Sequence, residues 1–150
     1  MDVDRSAPVI AEDSISIRAS AGHIWKIMID FERWPDWNTD IRSVRVEGPI
    51  APGTRFSWKA GPGTIRSRVE EIEEPERLVW TGKTLGIRAV HVWTIEEHGG
   101  DSVVSTIESW NGIYVGLLKG SLHHTLEKSI HEGLSSLKCE AEKEAGGIDR

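Results

Sequence analysis

The stretch AGHIWKIMIDFERWPDWN, residues 21–38, decides how this chain is expected to fold. Ser20 comes directly before it and is a good N-cap, because its hydroxyl can accept a hydrogen bond from the first turn of a helix. The apolar residues that follow have the spacing of one helical face, and they are Ile24, Trp25, Ile27 and Met28. A second short helical turn is expected from Phe31 to Trp34, where Pro35 should break it. The stretch therefore predicts two short helices in succession.

Short alternating runs lie on both sides of these helices. On the N-terminal side, VIAEDSISIRA begins at Val9 and alternates Ile15 and Ile17 with polar residues, which predicts a strand. After Asn38, six further runs are bounded by turns rich in Gly and Pro, at 41–47, 54–60, 64–72, 77–83, 87–97 and 102–110. Connections this short join antiparallel neighbours, so the six runs are expected to form a meander.

One long amphipathic helix is expected near the C-terminus. An apolar residue recurs there at every third or fourth position, at Leu118, Leu122, Leu126, Ile130, Leu134 and Leu137. The helix should be about twenty residues long, and its apolar stripe must lie on the concave face of the sheet. The first eight residues are expected to be a frayed start, and EAEKEAGGIDR at the end a charged tail. Residues 1–150 should form one domain, with its core at about 9–138.

Composition argues against several classes of protein. The 150 residues are 38% hydrophobic and 28% charged, as in ordinary globular domains, and no apolar run is long enough to span a membrane. A net charge of -6 argues against a nucleic-acid partner, which requires clustered Lys and Arg. The N-terminus lacks the pattern of a secretory signal. Cys139 is the only cysteine, so no internal disulfide is expected and the cytoplasm is the simplest compartment.

The sequence contains no motif for a cofactor or a metal. Nucleotide-binding loops and the G-x-S-x-G turn are missing, and GPGT at 61–64 is too short for a phosphate loop. The histidines lack the spacing of converging metal ligands, since His123 and His124 point in different directions on a helix. Neither a cofactor nor a metal is therefore expected.

The order of these elements resembles the helix-grip fold of the SRPBCC superfamily, which includes START lipid-binding domains and polyketide cyclases and dehydrases. The most specific match is the stretch at 21–38. The segments ERLVWTG (76–82) and HVWTIEEHGGDSVVSTIESWNG (91–112) resemble the last three strands of the superfamily. The resemblance extends from Val9 to Leu137. It implies an α+β fold in which a seven-stranded curved antiparallel sheet wraps around the long helix, with two short helices between strands 1 and 2.

The same resemblance implies a structural role for Trp34 and Trp37. In the superfamily the two short helices support the end of the long helix and close one end of a cup. Both tryptophans should then fill the junction between these helices, the sheet and the long helix, because each ring buries a large apolar area there.

The residues on the inner face of the sheet can be assigned from the turns. If Gly99 and Gly100 close the last hairpin, antiparallel pairing places His91 opposite Glu108. The same argument applies to a turn at 61–62. Because side chains alternate between the two faces of a strand, the inner face should carry the aromatic residues Phe56, Trp58, Trp80, Trp93 and Trp110.

His91 and Glu108 are the candidate catalytic pair. A carboxylate on an apolar face is costly unless it is paired, and a histidine across the ladder supplies the partner. The alternatives are a structural pair, a solvated pair at the rim of the cup, or contact with a polar group of a ligand. The candidate ligand-binding residues are the aromatic set and three residues of the long helix: Phe56, Trp58, Trp80, Trp93, Trp110, Leu122, His123 and Leu126.

Three functions remain open from the sequence. The first is a cytoplasmic protein, monomer or homodimer, that encloses a small hydrophobic and ring-bearing molecule. The second is an enzyme similar to the polyketide cyclases and dehydrases, in which His91 and Glu108 act as an acid–base pair on a bound ketone. The third is a protein-interaction role, for which no surface patch stands out in the sequence. Access of a substrate to His91 would separate the first two.

Overall fold

The computed structural model describes residues 1–148, and side chains as far as Lys143. The strands are β1 Val9–Ile17, β2 Ile41–Val46, β3 Arg55–Ala60, β4 Gly63–Glu73, β5 Arg77–Thr84, β6 Ile87–His98 and β7 Asp101–Asn111. The helices are α1 Ala21–Ile29, α2 Trp34–Trp37 and α3 Lys119–Ile148, and a 3-10 turn at Phe31–Arg33 lies between α1 and α2.

The seven strands form one antiparallel sheet in the order β1-β7-β6-β5-β4-β3-β2. The β6–β7 hairpin has the predicted register, with His98 opposite Asp101. Gly99 and Gly100 close it with φ angles of 62° and 92°, which glycine adopts without strain. The β3–β4 turn at 61–62 also has the predicted register. The predicted α+β helix-grip fold is confirmed, with the two short helices between β1 and β2.

The long helix α3 packs on the concave face of the sheet, as its apolar stripe predicts. Its buried residues are Leu126, Ile130, Leu134, Leu137 and Ala141. The helix has 30 residues rather than about twenty, so most of the expected charged tail is helical, and the last two residues of that tail lie outside the described chain. Glu142 accepts the backbone N–H of Arg18 at 2.9 Å. Alanine, glutamate and lysine are good helix formers, and here one face of their segment is anchored to the sheet.

Pro35 does not break the second helical turn and lies instead at the start of α2. A proline is tolerated there because the N–H that it lacks would have no partner in the first turn of a helix. Trp34 is 5% exposed and donates its indole N–H to the carbonyl oxygen of Met28 at 3.0 Å. Trp37 is half-buried against the same core. Both tryptophans thus have the structural position that the family resemblance implies.

The N-terminal segment is packed on the sheet rather than frayed. Val3 is 5% exposed and contacts Val79 and Val92 on the convex face. The backbone N–H of Asp4 donates to the hydroxyl oxygen of Ser109 at 3.1 Å. The segment is ordered because it covers apolar residues on the outer side of the central strands, which would otherwise face water.

Candidate functional site

Three rings from neighbouring strands meet on the concave face of the sheet. Trp80 of β5 is paired with His91 of β6, and Trp93 follows His91 on the same face. The ring centroid of His91 lies 4.8 Å from that of Trp80 and 5.1 Å from that of Trp93. His91 is 8% exposed, so its imidazole is enclosed by indole rings.

Glu108 of β7 faces His91, at the position that the hairpin register predicts. Its Oε1 atom lies 3.0 Å from Nδ1 of His91, and only 14% of the glutamate side chain is exposed. The pairing of β6 with β7 runs without a bulge, so alternation of side chains is preserved along both strands. The predicted cross-strand contact is therefore confirmed.

The contacts of His91 favour a proton on its Nε2 atom when Glu108 is protonated. Thr106 donates its hydroxyl to the carbonyl oxygen of Val92 at 3.2 Å, so its oxygen accepts from Nε2 of His91 at 2.7 Å. In a neutral imidazole, Nδ1 is then left as an acceptor that faces Glu108. On the other side, Trp110 donates its indole N–H to Oε2 of Glu108 at 2.6 Å.

Burial favours the neutral form of both members of the pair. Removal from water lowers the pKa of His91 to about 3. The same effect raises the pKa of Glu108 to about 7, although the hydrogen bond from Trp110 opposes it. A protonated carboxyl at Glu108 donates to Nδ1 of His91, which is the acceptor that the tautomer leaves free. The pair thus holds one proton between Oε1 and Nδ1 and can exchange it near neutral pH.

One donor beside the pair has no acceptor. Nε1 of Trp93 is buried and makes no hydrogen bond within the part of the chain that the structure describes. A buried N–H without a partner costs about 1–3 kcal/mol, so it marks a place where another molecule can supply the acceptor. The ring lies beneath α3, since a Cβ added to Gly133 would be 4.0 Å from its Cη2 atom. This unmet donor therefore lies between the sheet and the long helix.

Three of the predicted ligand-binding residues lie in or beside a closed aromatic core. The ring centroid of Phe31 is 4.8 Å from that of Phe56 and 6.1 Å from that of Trp80. Trp58 lies at the margin of this core and donates its indole N–H to the hydroxyl oxygen of Ser67 at 3.0 Å. These rings pack against the short helices and leave little space between themselves.

The other predicted residues lie toward the opposite end of the concave face. Trp110 and Leu122 are only partly buried, and they pack with Leu126 in a second apolar cluster. The polar pair joins the two regions, because His91 contacts the first through its ring neighbours and Glu108 is bonded to Trp110.

His123 is not part of this wall. Its side chain is 46% exposed, and Nδ1 lies 3.1 Å from Oε1 of Glu127 on the helix surface. Helical spacing places it beside, rather than on, the face of Leu122 and Leu126. Thr106, in contrast, was not among the candidates, although a hydroxyl opposite Trp93 on the inner face is a detectable signal.

Within the described residues, no group of three or more His, Cys, Asp or Glu side chains is arranged to hold a metal ion. None of the helices in residues 1–148 combines the length and apolar character needed to cross a membrane.

Comparison with known proteins places this architecture in a family. A sequence profile for "Polyketide cyclase / dehydrase and lipid transport" matches residues 8–142. No curated protein matches the chain significantly in sequence.

Solved structures share the fold at low sequence identity. The Zhui aromatase/cyclase from Streptomyces sp. R1128 has a TM-score of 0.76 and 13% identity, with 91% of this chain and 94% of that chain covered. A START superfamily protein from Mycobacterium smegmatis has a TM-score of 0.73 and 15% identity, with coverage of 89% and 97%. A hypothetical protein from Helicobacter pylori has a TM-score of 0.81 and 16% identity, with coverage of 91% and 90%. These structures show a shared fold, and the profile match shows that the chain belongs to the polyketide cyclase / dehydrase and lipid transport family, within the SRPBCC superfamily.

Proposed function

We propose that the protein binds a small apolar, ring-bearing molecule with a hydrogen-bond acceptor, such as a ketone oxygen, between the sheet and α3. The unpartnered indole N–H of Trp93 carries this proposal, because it is a buried donor among aromatic rings. A carbonyl oxygen of the ligand would accept from it. His91 already has partners in Thr106 and Glu108, so Trp93 is the member of this site with a hydrogen bond to offer.

The packing on the concave face favours one end of the sheet as the place where the ligand would bind. Around Phe56 and Trp80 the rings contact one another, and the short helices cover them. Trp110 and Leu122 are only partly buried, so their end of the sheet is the one from which a ligand would approach Trp93. The family description agrees with this class of ligand, since lipids and polyketides are molecules with large apolar parts.

An enzyme of the cyclase or dehydrase kind is the second candidate, and the raised pKa of Glu108 favours it. With a pKa of about 7, this carboxyl is partly ionised near neutral pH. The carboxylate would take a proton from the carbon beside a bound ketone, and the indole N–H of Trp93 would stabilise the enolate oxygen. The proton removed from carbon would then lie on Glu108, between its oxygen and Nδ1 of His91.

Binding is preferred over turnover because of the hydrogen bonds that the pair already makes. Oε1 of Glu108 contacts His91 and Oε2 accepts from Trp110, so a substrate that needs this carboxylate must displace one partner or use a remaining lone pair. Binding through Trp93 requires no such displacement.

A matched pair of ring compounds tests the binding proposal. Anthraquinone-2-sulfonate carries ketone oxygens and anthracene-2-sulfonate does not, and calorimetric titration should show tighter binding of the quinone. Trp93→Phe keeps an aromatic ring and removes the N–H, so it should weaken quinone binding about tenfold and leave anthracene binding nearly unchanged. Trp58→Phe is the control, because its N–H is already bonded to Ser67.

Two results would count against the proposal. If neither compound binds, and native mass spectrometry of the freshly purified protein shows no small molecule, the binding function is wrong. If both bind but Trp93→Phe changes neither affinity, the ligand does not use the Trp93 donor.

Hydrogen exchange tests the enzyme candidate separately. Catalysed enolisation of 2-tetralone in D₂O replaces the hydrogens beside its carbonyl with deuterium, and proton NMR follows the loss of their signal. Glu108→Gln should abolish any catalysed exchange while 2-tetralone still binds. If exchange is no faster than in buffer, the enzyme candidate is wrong and binding is the only one of the two functions that remains.

A further inference from the structure

Four large apolar side chains are exposed together at one end of the sheet. Leu85 is 60% exposed, Ile113 99%, Leu117 85% and Leu118 51%, and these four residues are the apolar tip. Met1 is the other exposed large apolar residue of the described chain. Single exposed apolar residues are common on protein surfaces, whereas a group of them marks a contact surface.

Local contacts hold the two loops of the apolar tip together. Leu85 lies in the β5–β6 turn, and Tyr114 of the β7–α3 loop donates its hydroxyl to the Leu85 carbonyl oxygen. Gly112 packs so closely on that turn that there is no room for a Cβ atom. The Tyr114 carbonyl oxygen accepts the N–H of Leu117 at 3.1 Å. The tip is therefore one surface built from two loops.

Packing within the chain does not account for a leucine in this turn. Leu85 has a φ of 47°, in the left-handed region that favours glycine or asparagine. Leucine is strained there, and with 60% of its surface exposed it gains little from contacts inside the protein. Its exposed surface is available for a contact outside the chain.

The two chain segments that carry the apolar tip contain charged residues of one sign only. The segments 79–95 and 109–126, which carry the tip, contain Lys83, Arg88 and Lys119 and no aspartate or glutamate. All three cations are exposed. The whole chain has a net charge of -6, and its acidic residues cluster elsewhere, for example in EEIEEPE at the opposite end of β4 and β5. Asp4 also lies near this end, because its carboxylate accepts from the side-chain amide of Asn111 at 2.8 Å. The three cations of these segments outnumber it, so this end of an acidic protein attracts an anionic surface.

We propose that the apolar tip docks on a lipid bilayer that contains anionic lipids. Its four aliphatic side chains would enter the interfacial region, and Lys83, Arg88 and Lys119 would lie against the phosphate headgroups. A bilayer fits better than a protein partner, because the side chains project from loop ends and form no groove. The tip lies beside Trp110 and the start of α3, so docking would place the open end of the concave face at the membrane. The surface shares no residue with the proposed ligand site, and each can be tested without the other.

Co-sedimentation with vesicles tests this proposal. The protein should sediment with vesicles of phosphatidylcholine that contain about 30% phosphatidylglycerol, and much less with pure phosphatidylcholine. Raising the salt to about 0.5 M should weaken this binding, because it screens the contacts with headgroups. The double variant Ile113→Asn/Leu117→Asn should lower partitioning about tenfold, with little effect on folding because both side chains face water.

Charge reversal provides a second arm with a matched control. Lys83→Glu/Arg88→Glu should lower partitioning onto anionic vesicles about tenfold. Lys26→Glu/Lys143→Glu reverses the same number of charges at exposed positions near the other end of α3 and should leave partitioning unchanged. Circular dichroism confirms that each variant is folded.

Three outcomes would overturn the proposal. The first is no sedimentation with anionic vesicles. The second is sedimentation that charge reversal abolishes but that Ile113→Asn/Leu117→Asn does not change, since this describes adsorption without insertion of the tip. The third is binding to an acidic protein, sensitive to the same variants, with no binding to vesicles.

Discussion

Trp34 and Trp93 are buried to nearly the same degree, with 5% and 8% of their surfaces exposed, and both belong to the main core cluster. Trp34 donates its indole N–H to the carbonyl oxygen of Met28, whereas Trp93 has no acceptor among the described residues. The first ring completes a closed aromatic core, and the second lies beside a buried titratable pair. Burial alone therefore does not distinguish a structural tryptophan from a candidate ligand contact; the hydrogen bonding of its N–H does.

Removal of the Trp34 ring should have the largest effect on stability. Trp34→Ala leaves a cavity among Phe31, Phe56 and Trp80, and we expect the free energy of unfolding to fall by about 3–5 kcal/mol. Denaturant unfolding followed by circular dichroism measures it. Trp37→Ala, at a half-buried position, is the control and should cost clearly less. Equal losses for the two variants would contradict the assignment of Trp34 to the centre of this core.

The pH dependence of stability should change in Glu108→Gln. Burial raises the pKa of Glu108 from 4.5 to about 7. Between these values the folded protein binds more protons than the unfolded chain, so this group makes folding less favourable as the pH rises. Relative to Glu108→Gln, the wild-type free energy of unfolding should fall between about pH 4.5 and 7, by about 3 kcal/mol at most.

The glutamine variant keeps the hydrogen bonds of a protonated carboxyl, since its amide can donate to His91 and accept from Trp110. The lowered pKa of His91 makes the free energy of unfolding rise with pH at acidic pH, which is opposite to the effect of Glu108. Because both proteins contain His91, this effect largely cancels when they are compared. Urea unfolding of both proteins across this pH range is the measurement. A constant difference would mean that Glu108 is ionised throughout, as in an ion pair.

Loss of the imidazole should have an intermediate effect. His91→Ala removes one of the two partners of Glu108 and of Thr106, and we expect the free energy of unfolding to fall by about 1–3 kcal/mol. The loss should be larger above pH 7, because a buried ionised carboxylate then keeps only the hydrogen bond from Trp110. Thermal unfolding at two pH values measures it, and ligand affinity is measured on the same variant. Unchanged stability together with unchanged affinity would show that the pair has no role in either.

The smallest effect on stability is expected for Trp93→Phe. This change removes an N–H that has no acceptor, so the free energy of unfolding should change by less than about 1 kcal/mol. Trp34→Phe is the matched comparison and should cost more, because it leaves the Met28 carbonyl oxygen without its donor. If the free energy of unfolding falls by the same amount in both variants, hydrogen bonding of the indole N–H does not distinguish the two tryptophans.

Most of the fold was predictable because its signals are local. The turns at Gly99 and Gly100 and at 61–62 set the registers of two hairpins, and a period of two then assigns every side chain to a face. His91 and Glu108 could therefore be placed opposite each other without coordinates. The family resemblance in residues 21–38 identified the short helices and the structural position of Trp34.

The errors have a common physical origin in contacts that sequence patterns do not contain. Val3 is buried by the convex face, and Glu142 of α3 is bonded to the backbone of Arg18, so both of these segments are held by contacts with the rest of the protein. Pro35 starts a helix because the chain turns just before it. His123 lies beside the helix face with which Leu122 and Leu126 contact the sheet, and its side chain is 46% exposed, so its contact with a ligand stays a prediction.

By itself, the sequence determined the order of the elements, the registers of the β3–β4 and β6–β7 hairpins, the contact of His91 with Glu108, and the family. The elements, the two registers and the contact follow from periodicity and turn chemistry, which neighbouring residues set among themselves. The family follows from the resemblance of residues 21–38, 76–82 and 91–112 to its members. Only the tertiary structure decided that burial raises the pKa of Glu108 to about 7, that Trp93 lacks an acceptor among the described residues, and that the apolar tip is exposed. Desolvation, hydrogen-bond partners and exposure depend on every element packed around a side chain, and no single stretch of sequence contains that information.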